Sequence, residues 1–271
     1  MPEMLKVVIL AVIQGVAEFL PVSSSGHLVV MGKLLDWNPE TSVLLNVVLH
    51  AGTLASIVIF YFRELLTLLK EANRNVIKLI IVGTIPAVIV GFAVKLSGVD
   101  ELLFDNILVS GIGFLITATL LKVGMRANPD MEPVTLERMG GRRALQVGMA
   151  QAFAILPGVS RSGSTISVAL KCGVGKADSA RFSFMLAIPV IGGAALLEMV
   201  SAVRKGTVNF NIAELLPLVL GFLVSAAVGY VSLKLLLTVL QKGKLAIFSA
   251  YLYTVGIIVI IWSIASMVAR A

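Results

Sequence analysis

The sequence predicts an all-α polytopic membrane protein, and three observations carry that expectation. Of 271 residues, 58% are hydrophobic and only 14% charged, against about 45–50% and about 25% in soluble domains. Six apolar segments reach the roughly 20 residues that a helix needs to cross a hydrocarbon core of about 30 Å. Two further apolar regions are interrupted near their middle, and each arm is too short to cross at about 1.5 Å per residue.

In chain order, the first element is one of the interrupted regions. Residues 4–20 stay apolar until Glu18 and Pro21, and the run resumes over 27–35. A re-entrant helix–loop–helix over 4–35 is expected, because irregular backbone at membrane depth survives only under protein or beside a wet cavity. The acidic Glu3, a single Lys6 and the lack of a small-x-small cleavage pattern argue against a removable signal peptide. Spans follow at 43–62, 76–96 and 104–122, completing a first repeat over 1–124. The polar stretch 125–143 reads as a cytoplasmic linker with no chemistry of its own. A second repeat, 144–271, has the same order: an interrupted region over 144–172, broken at Pro157-Gly158, then spans at 182–201, 214–238 and 246–267.

The interrupted regions match each other. "QGVAEFLPVSSSG" (14–26) aligns with "QAFAILPGVSRSG" (151–163) once Gly158 is counted as an insertion, and Gly83 and Gly91 recur as Gly221 and Gly229. One re-entrant segment plus three spans per half predicts an internal duplication. Three spans are an odd number, so the second copy is inverted. Basic residues test this: six (Lys6, Lys33, Lys95, Arg204, Lys205, Arg270) fall on the face of the termini, and fifteen, between Arg63 and Lys244, fall opposite. The positive-inside rule makes the rich face cytoplasmic and both termini external. The net charge of +7 is therefore topological and gives no reason to expect nucleic acid. The lone Cys172 excludes an intramolecular disulfide and reads as a packing residue; Trp37 and Trp262 read as interface-belt residues.

Inverted loops entering from opposite faces place their tips together near the midplane. The polar residues would then line one internal cavity instead of facing lipid. Its contents suit phosphate. Ser160, Ser162, Ser164 and Thr165 offer hydroxyls, Gly163 a tight backbone turn, and the helix that follows a free N-terminus. Arg161 adds a planar cationic fork. The first loop supplies Ser23, Ser24 and His27, and Gln14 and Glu18 lie four residues apart on one helix face. These are parts for phosphoryl transfer. Ser24, or a water it orients, is the attacking group, His27 and Glu18 are candidate acid and base, and Arg161 is the charge stabiliser. Gln14 and Glu18 also offer oxygens to a hard divalent ion. Bland readings stand beside these: small residues pack helices closely, Glu18 and Arg161 neutralise one another, and His50, inside a full span, packs or makes a hydrogen bond. Arg181 and Asp178 read as anchors at the end of a span.

"QGVAEFLPVSSSGH" and "LPGVSRSGST" together resemble the signature motifs of the undecaprenyl-diphosphate phosphatase family, also called the bacitracin-resistance protein family. The resemblance covers the whole chain. It implies a bacterial inner-membrane hydrolase that removes one phosphate from a polyprenyl diphosphate and so regenerates the carrier lipid for cell-wall synthesis. It maps the family's acidic motif onto Gln14 and Glu18, its serine–histidine motif onto Ser23, Ser24 and His27, and its arginine motif onto Ser160 and Arg161. It further implies a divalent cation, magnesium or calcium, and a site open to the outside. Glutamine at position 14 removes one carboxylate from that pattern and makes Glu18 the expected essential acid. The partners expected are the lipid diphosphate and the bilayer, with a homodimer allowed and no nucleic acid. A flippase or phosphate-lipid transporter on the same scaffold is the rival. Lipid phosphatases with a histidine nucleophile need a histidine beyond the arginine motif, and no histidine follows Arg161.

Overall fold

The computed structural model describes residues 3–35, 39–68, 74–99, 103–104, 106–125, 132–204 and 212–269. Lys70, Arg126, Lys205, Arg270 and Trp37, used in the charge and interface readings, lie outside the described residues. The described chain forms eleven α-helices: α1 (Glu3–Phe19), α2 (Ser24–Leu34), α3 (Pro39–Phe60), α4 (Phe62–Leu68), α5 (Arg74–Ser97), α6 (Ile107–Gly124), α7 (Gly141–Phe153), α8 (Arg161–Lys171), α9 (Lys176–Arg204), α10 (Ile212–Gln241) and α11 (Ala246–Val268). Six of them, α3, α5, α6, α9, α10 and α11, are long and apolar enough to cross a membrane. They coincide with the six spans expected. The main difference is at α9, which starts at Lys176 rather than near 182. Its polar first turns remain helical because the Ser179 amide bonds to Gly175 O and Arg181 is held by ion pairs described below. Pro86, Pro189 and Pro217 lie inside membrane helices, where neighbouring helices can re-satisfy the freed carbonyls.

Both interrupted regions are pairs of short helices. α1 stops at Phe19 and the chain turns through Leu20-Pro21-Val22, where the Val22 amide bonds to Leu20 O at 2.7 Å. α7 stops at Phe153 and turns through Pro157 and Gly158, the latter at φ 83°. The helices that leave the two turns begin alike. The Ser23 hydroxyl accepts from the Gly26 amide at 3.4 Å, and the Ser160 hydroxyl accepts from the Gly163 amide at 3.1 Å. In each case the capping hydroxyl also lies 3.2 Å from that of the serine two residues on. Ser23 alone among the described non-glycine residues has positive φ, 71°.

The turns touch. A Cβ added at Gly26 would lie 2.6 Å from the Phe114 ring and 2.8 Å from Gly158 Cα. Helix packing also reads the same way from either half. α1 lies against α10 at Gly15 and Gly229, and α7 lies against α5 at Gly148 and Gly83. Between these pairs, α6 packs on α11 and α3 on α9. The small residues let backbones approach closely, as membrane helices require.

Part of the expected linker is built into the fold. Val134 pairs with the 173–175 turn through two backbone hydrogen bonds, and Leu136 and Met139 are buried. Arg181 clamps the region by pairing with Glu64 and Glu137, with Asp178 at 3.6 Å. Cys172 is half-buried, and its thiol donates to Gln146 Oε1 at 3.3 Å, so it does more than fill space.

Gly158→Ala should lower the thermal unfolding midpoint of the detergent-solubilised protein markedly. Left-handed backbone costs a side chain about 1–2 kcal/mol, and the new methyl would strike the Ser110 backbone. Gly32→Ala, in α2 with nothing within 4 Å, should leave the midpoint unchanged or raise it. Equal midpoints for both variants would show that the turn is not held in this conformation.

Candidate functional site

Glu18 is the hub around which the site assembles. It ends α1 where the hydrophobic run breaks, and it is almost completely buried. Burial of a carboxylate is tolerable only when its oxygens are paired, and both are. Oε1 accepts from Arg161 Nη2 at 2.8 Å, across the junction of the two turns. Oε2 accepts from the Ser24 hydroxyl at 2.6 Å and from Gln14 Nε2 at 3.1 Å. Gln14 stands on the same face of α1, one turn earlier, as its i,i+4 spacing predicts.

Arg161 is the first residue of α8, placed by the Ser160 cap. Its Nη1 donates to Ser183 O at 3.2 Å. These two bonds occupy part of the fork and leave the rest for a ligand. The Ser160 amide donates to Thr117 Oγ1 at 2.9 Å, which fixes the second turn against α6.

A cavity of about 250 Å³ opens at this junction. Its polar wall comes from Glu18, Ser23, Ser24, Ser25, Ser160 and Arg161, so that the starts of α2 and α8 converge on one space. Helix starts carry free N–H groups and partial positive charge. The apolar wall is formed by Ala17, Ala154, Ile155 and Val159 with Val190, Ile191, Ala194 and Ala195 of α9. His50, Gln151 and Glu198, the last exposed and one turn further along α9, complete the lining.

Of the residues expected, Glu18, Ser23, Ser24, Ser160 and Arg161 line this cavity, and Gln14 is bonded to Glu18 without lining it. The others lie outside the lining. Ser162 donates to Leu20 O at 3.4 Å, Thr165 lies 2.6 Å from the Ser183 hydroxyl, Gly163 carries the capped amide, and Ser164 is buried in α8. His27 is turned the other way. Its Nδ1 is 2.8 Å from Ser23 O and its Nε2 2.8 Å from the Tyr251 hydroxyl, with the ring between Phe114 and Tyr251.

Four polar lining residues, Ser25, His50, Gln151 and Glu198, were not among the site candidates read from the sequence. His50 does make a hydrogen bond, as expected, but its partner is Gln14: Nδ1 lies 2.9 Å from Gln14 Nε2 and 3.7 Å from Glu18 Oε2. Gln151 was readable, since it aligns with Gln14; its Oε1 is buried without a partner among the described residues. Glu198 was a lone carboxylate inside an apolar span, a signal in itself.

A divalent cation would find oxygen donors here. Gln14 Oε1 is buried without a partner among the described residues, on the amide whose Nε2 donates to Glu18. Among the described residues no three His, Cys, Asp or Glu side chains cluster to form a cage.

Residues 7–258 match the family described as Bacitracin resistance protein BacA. The chain is 41% identical to a protein of Rhodopirellula baltica over 96% of its own length and 98% of the relative's. It is 39% identical to a protein of Carboxydothermus hydrogenoformans, covering 93% and 95%, and 39% identical to one of Halothermothrix orenii, covering 96% and 98%. Each of the three is named undecaprenyl-diphosphatase.

Removing one partner of a buried ion pair costs about 3–5 kcal/mol. Arg161→Met should therefore destabilise the protein strongly in thermal unfolding, whereas Glu18→Gln combined with Arg161→Met should recover most of the loss. No recovery in the double variant would mean that the two side chains are not coupled.

Proposed function

We infer that this chain, which belongs to the Bacitracin resistance protein BacA family, is an integral-membrane phosphatase that hydrolyses undecaprenyl diphosphate to the monophosphate and inorganic phosphate. One observation carries the reading beyond family membership: the Ser24 hydroxyl donates at 2.6 Å to a buried carboxylate that is itself paired with the site's arginine. A transporter needs an anion site, but it does not need a serine poised on a base.

The Ser24–Glu18 contact supports the following steps. The diphosphate headgroup enters the cavity with its terminal phosphoryl group over Ser24 and within reach of the free part of the Arg161 fork. The Ser24 oxygen attacks phosphorus while Glu18 takes the hydroxyl proton. The bond from phosphorus to the bridging oxygen breaks, and polyprenyl monophosphate leaves. As Glu18 gains the proton, its hold on Arg161 weakens, and the guanidinium turns its charge to the phosphoryl oxygens. Glu18 passes its proton to the oxygen of the departing monophosphate; water then attacks the phosphoserine, Glu18 takes a proton from it and gives it to the Ser24 oxygen as the serine–phosphorus bond breaks, and inorganic phosphate is released. Bound through Gln14 and Glu18, magnesium or calcium would neutralise diphosphate charge. The apolar wall on α9 suits the first isoprene units of the tail.

The proposal extends to an inner-membrane location with two inverted repeats, each with a re-entrant segment, and with both termini outside. It is supported by the matching caps, the matching helix pairs and the unequal distribution of basic residues. The cavity follows α9 from Val190 towards Glu198, the end of the helix assigned to the outer face, so substrate would enter from outside.

Purified protein should release phosphate from a long-chain polyprenyl diphosphate in the presence of magnesium or calcium and stop when a chelator is added. Ser24→Ala should abolish release while retaining lipid binding, and Arg161→Lys should lose most activity because a point charge cannot replace the fork. Hydrolysis persisting in Ser24→Ala would move the attack to water. Lipid binding without any hydrolysis by the wild type would leave a carrier. A reporter fused after Ala271 should be extracytoplasmic; a cytoplasmic signal would overturn the orientation.

A further inference from the structure

The chain has two histidines, and they differ in what their rings face. His27 has both nitrogens engaged by Ser23 O and the Tyr251 hydroxyl, and it does not line the cavity. His50 does line it, with its side chain 31% exposed. We propose that His50 is a direct contact of the diphosphate: its Nε2–H donates to a phosphoryl oxygen, in a tautomer that Gln14 fixes. This rests on the phosphatase reading of the cavity.

The tautomer follows from a chain of donors. Glu18 is an acceptor, so the Gln14 group facing it must be the NH₂. That same nitrogen lies 3.1 Å from Glu18 Oε2 and 2.9 Å from His50 Nδ1. One amide proton goes to each, and His50 Nδ1 must then accept. A neutral imidazole with an accepting Nδ1 carries its proton on Nε2. With Nδ1 turned into the protein, the Nε2 edge is the one left for the cavity, where it has no protein partner among the described residues. The same cavity lining holds Arg161, so a phosphoryl group bound there would meet both a cationic fork and a neutral N–H.

This arrangement also gives Gln14 a role that a carboxylate could not perform. Glutamate at that position would offer only acceptors to Glu18 and His50, and the ring would have to turn a proton towards it. The glutamine thus sets the direction of His50, and it acts as a positioning residue.

The test uses full-length protein with ¹⁵N-labelled histidine in detergent. Signals are assigned by comparison with His50→Phe, and the probe is a non-hydrolysable prenyl methylenediphosphonate. In the free protein, His50 should show a bare Nδ1 and a protonated Nε2, and the probe should shift its Nε2 resonance while those of His27 stay in place. A protonated Nδ1 in the free protein, or bound probe that leaves His50 unmoved, would overturn the proposal. Steady-state kinetics give a second readout. A hydrogen bond to a charged group is worth about 1.5–3 kcal/mol, so His50→Phe should lower kcat/KM by roughly 10- to 100-fold. Gln14→Leu should shift the His50 tautomer signals without removing the ring, and unchanged signals in that variant would refute the positioning role. A His50 shift in protein that hydrolyses no polyprenyl diphosphate would retain this contact and reject the phosphatase. Hydrolysis without a shift would do the reverse.

Discussion

The buried ion pair between Glu18 and Arg161 is the interaction on which the rest of the site depends. It joins the last turn of α1 to the first residue of α8, 143 positions apart in sequence. Each side chain stands at the interruption of an apolar run, where the chain cannot continue as a spanning helix. Alone, either charge at that depth would be prohibitive. Together they neutralise one another, and their remaining valences organise everything nearby. Ser24, Gln14 and, through Gln14, His50 are arranged around the carboxylate; Ser183 O takes another arginine proton. The pair therefore holds the two turns together and sets out the polar groups of the cavity in the same act.

The two turns share a plan and differ where chemistry requires. Both use a serine cap, a second serine two residues on and a glycine whose amide is capped. Between the two serines the first turn has Ser24 and the second Arg161. One turn before each interruption, Glu18 in the first region corresponds to Ile155 in the second. The first half thus contributes the hydroxyl and the carboxylate, and the second contributes the cation and an apolar wall. A symmetric version would bring together two carboxylates without an arginine, or two arginines without a base. Neither could be buried. Divergence at these two positions makes the junction both stable and reactive.

Much of this could be read in the sequence, and what could not has identifiable causes. The six spans followed from hydropathy because a bilayer imposes length and apolarity with little tolerance. Glu18, Ser24 and Arg161 were conspicuous as polar residues at breaks in apolar runs. His50 gave no comparable signal: one imidazole inside a full span has many uses, and its position opposite Gln14 depends on the rotation of α3 about its axis. His27 lies off the cavity lining for the complementary reason: nearness to the loop in sequence does not fix which way a residue on the first turn of α2 points. The docking of the linker was hidden as well. Its polar composition suggested solvent, whereas Leu136, Met139 and the Arg181 clamp tie it to the helix ends through contacts distant in sequence.

Charge balance connects the ion pair to the substrate. With Glu18 neutralising Arg161, the floor of the cavity carries no net charge, and Glu198 makes the lining negative towards its outer end. A diphosphate is strongly anionic, so this is a poor attractor unless positive charge becomes available with the ligand. Two sources fit the geometry. The helix starts at α2 and α8 supply fixed partial charge, and in the proposed mechanism proton transfer from Ser24 to Glu18 would free the guanidinium at the moment when negative charge builds on phosphorus. A divalent cation arriving with the headgroup would add to both and would also relieve the repulsion from Glu198. A site with permanent excess positive charge would bind diphosphate and monophosphate alike and release its product slowly. A neutral site, whose arginine is released only as the serine reacts, concentrates its attraction on the transition state, where it lowers the barrier instead of merely tightening the complex.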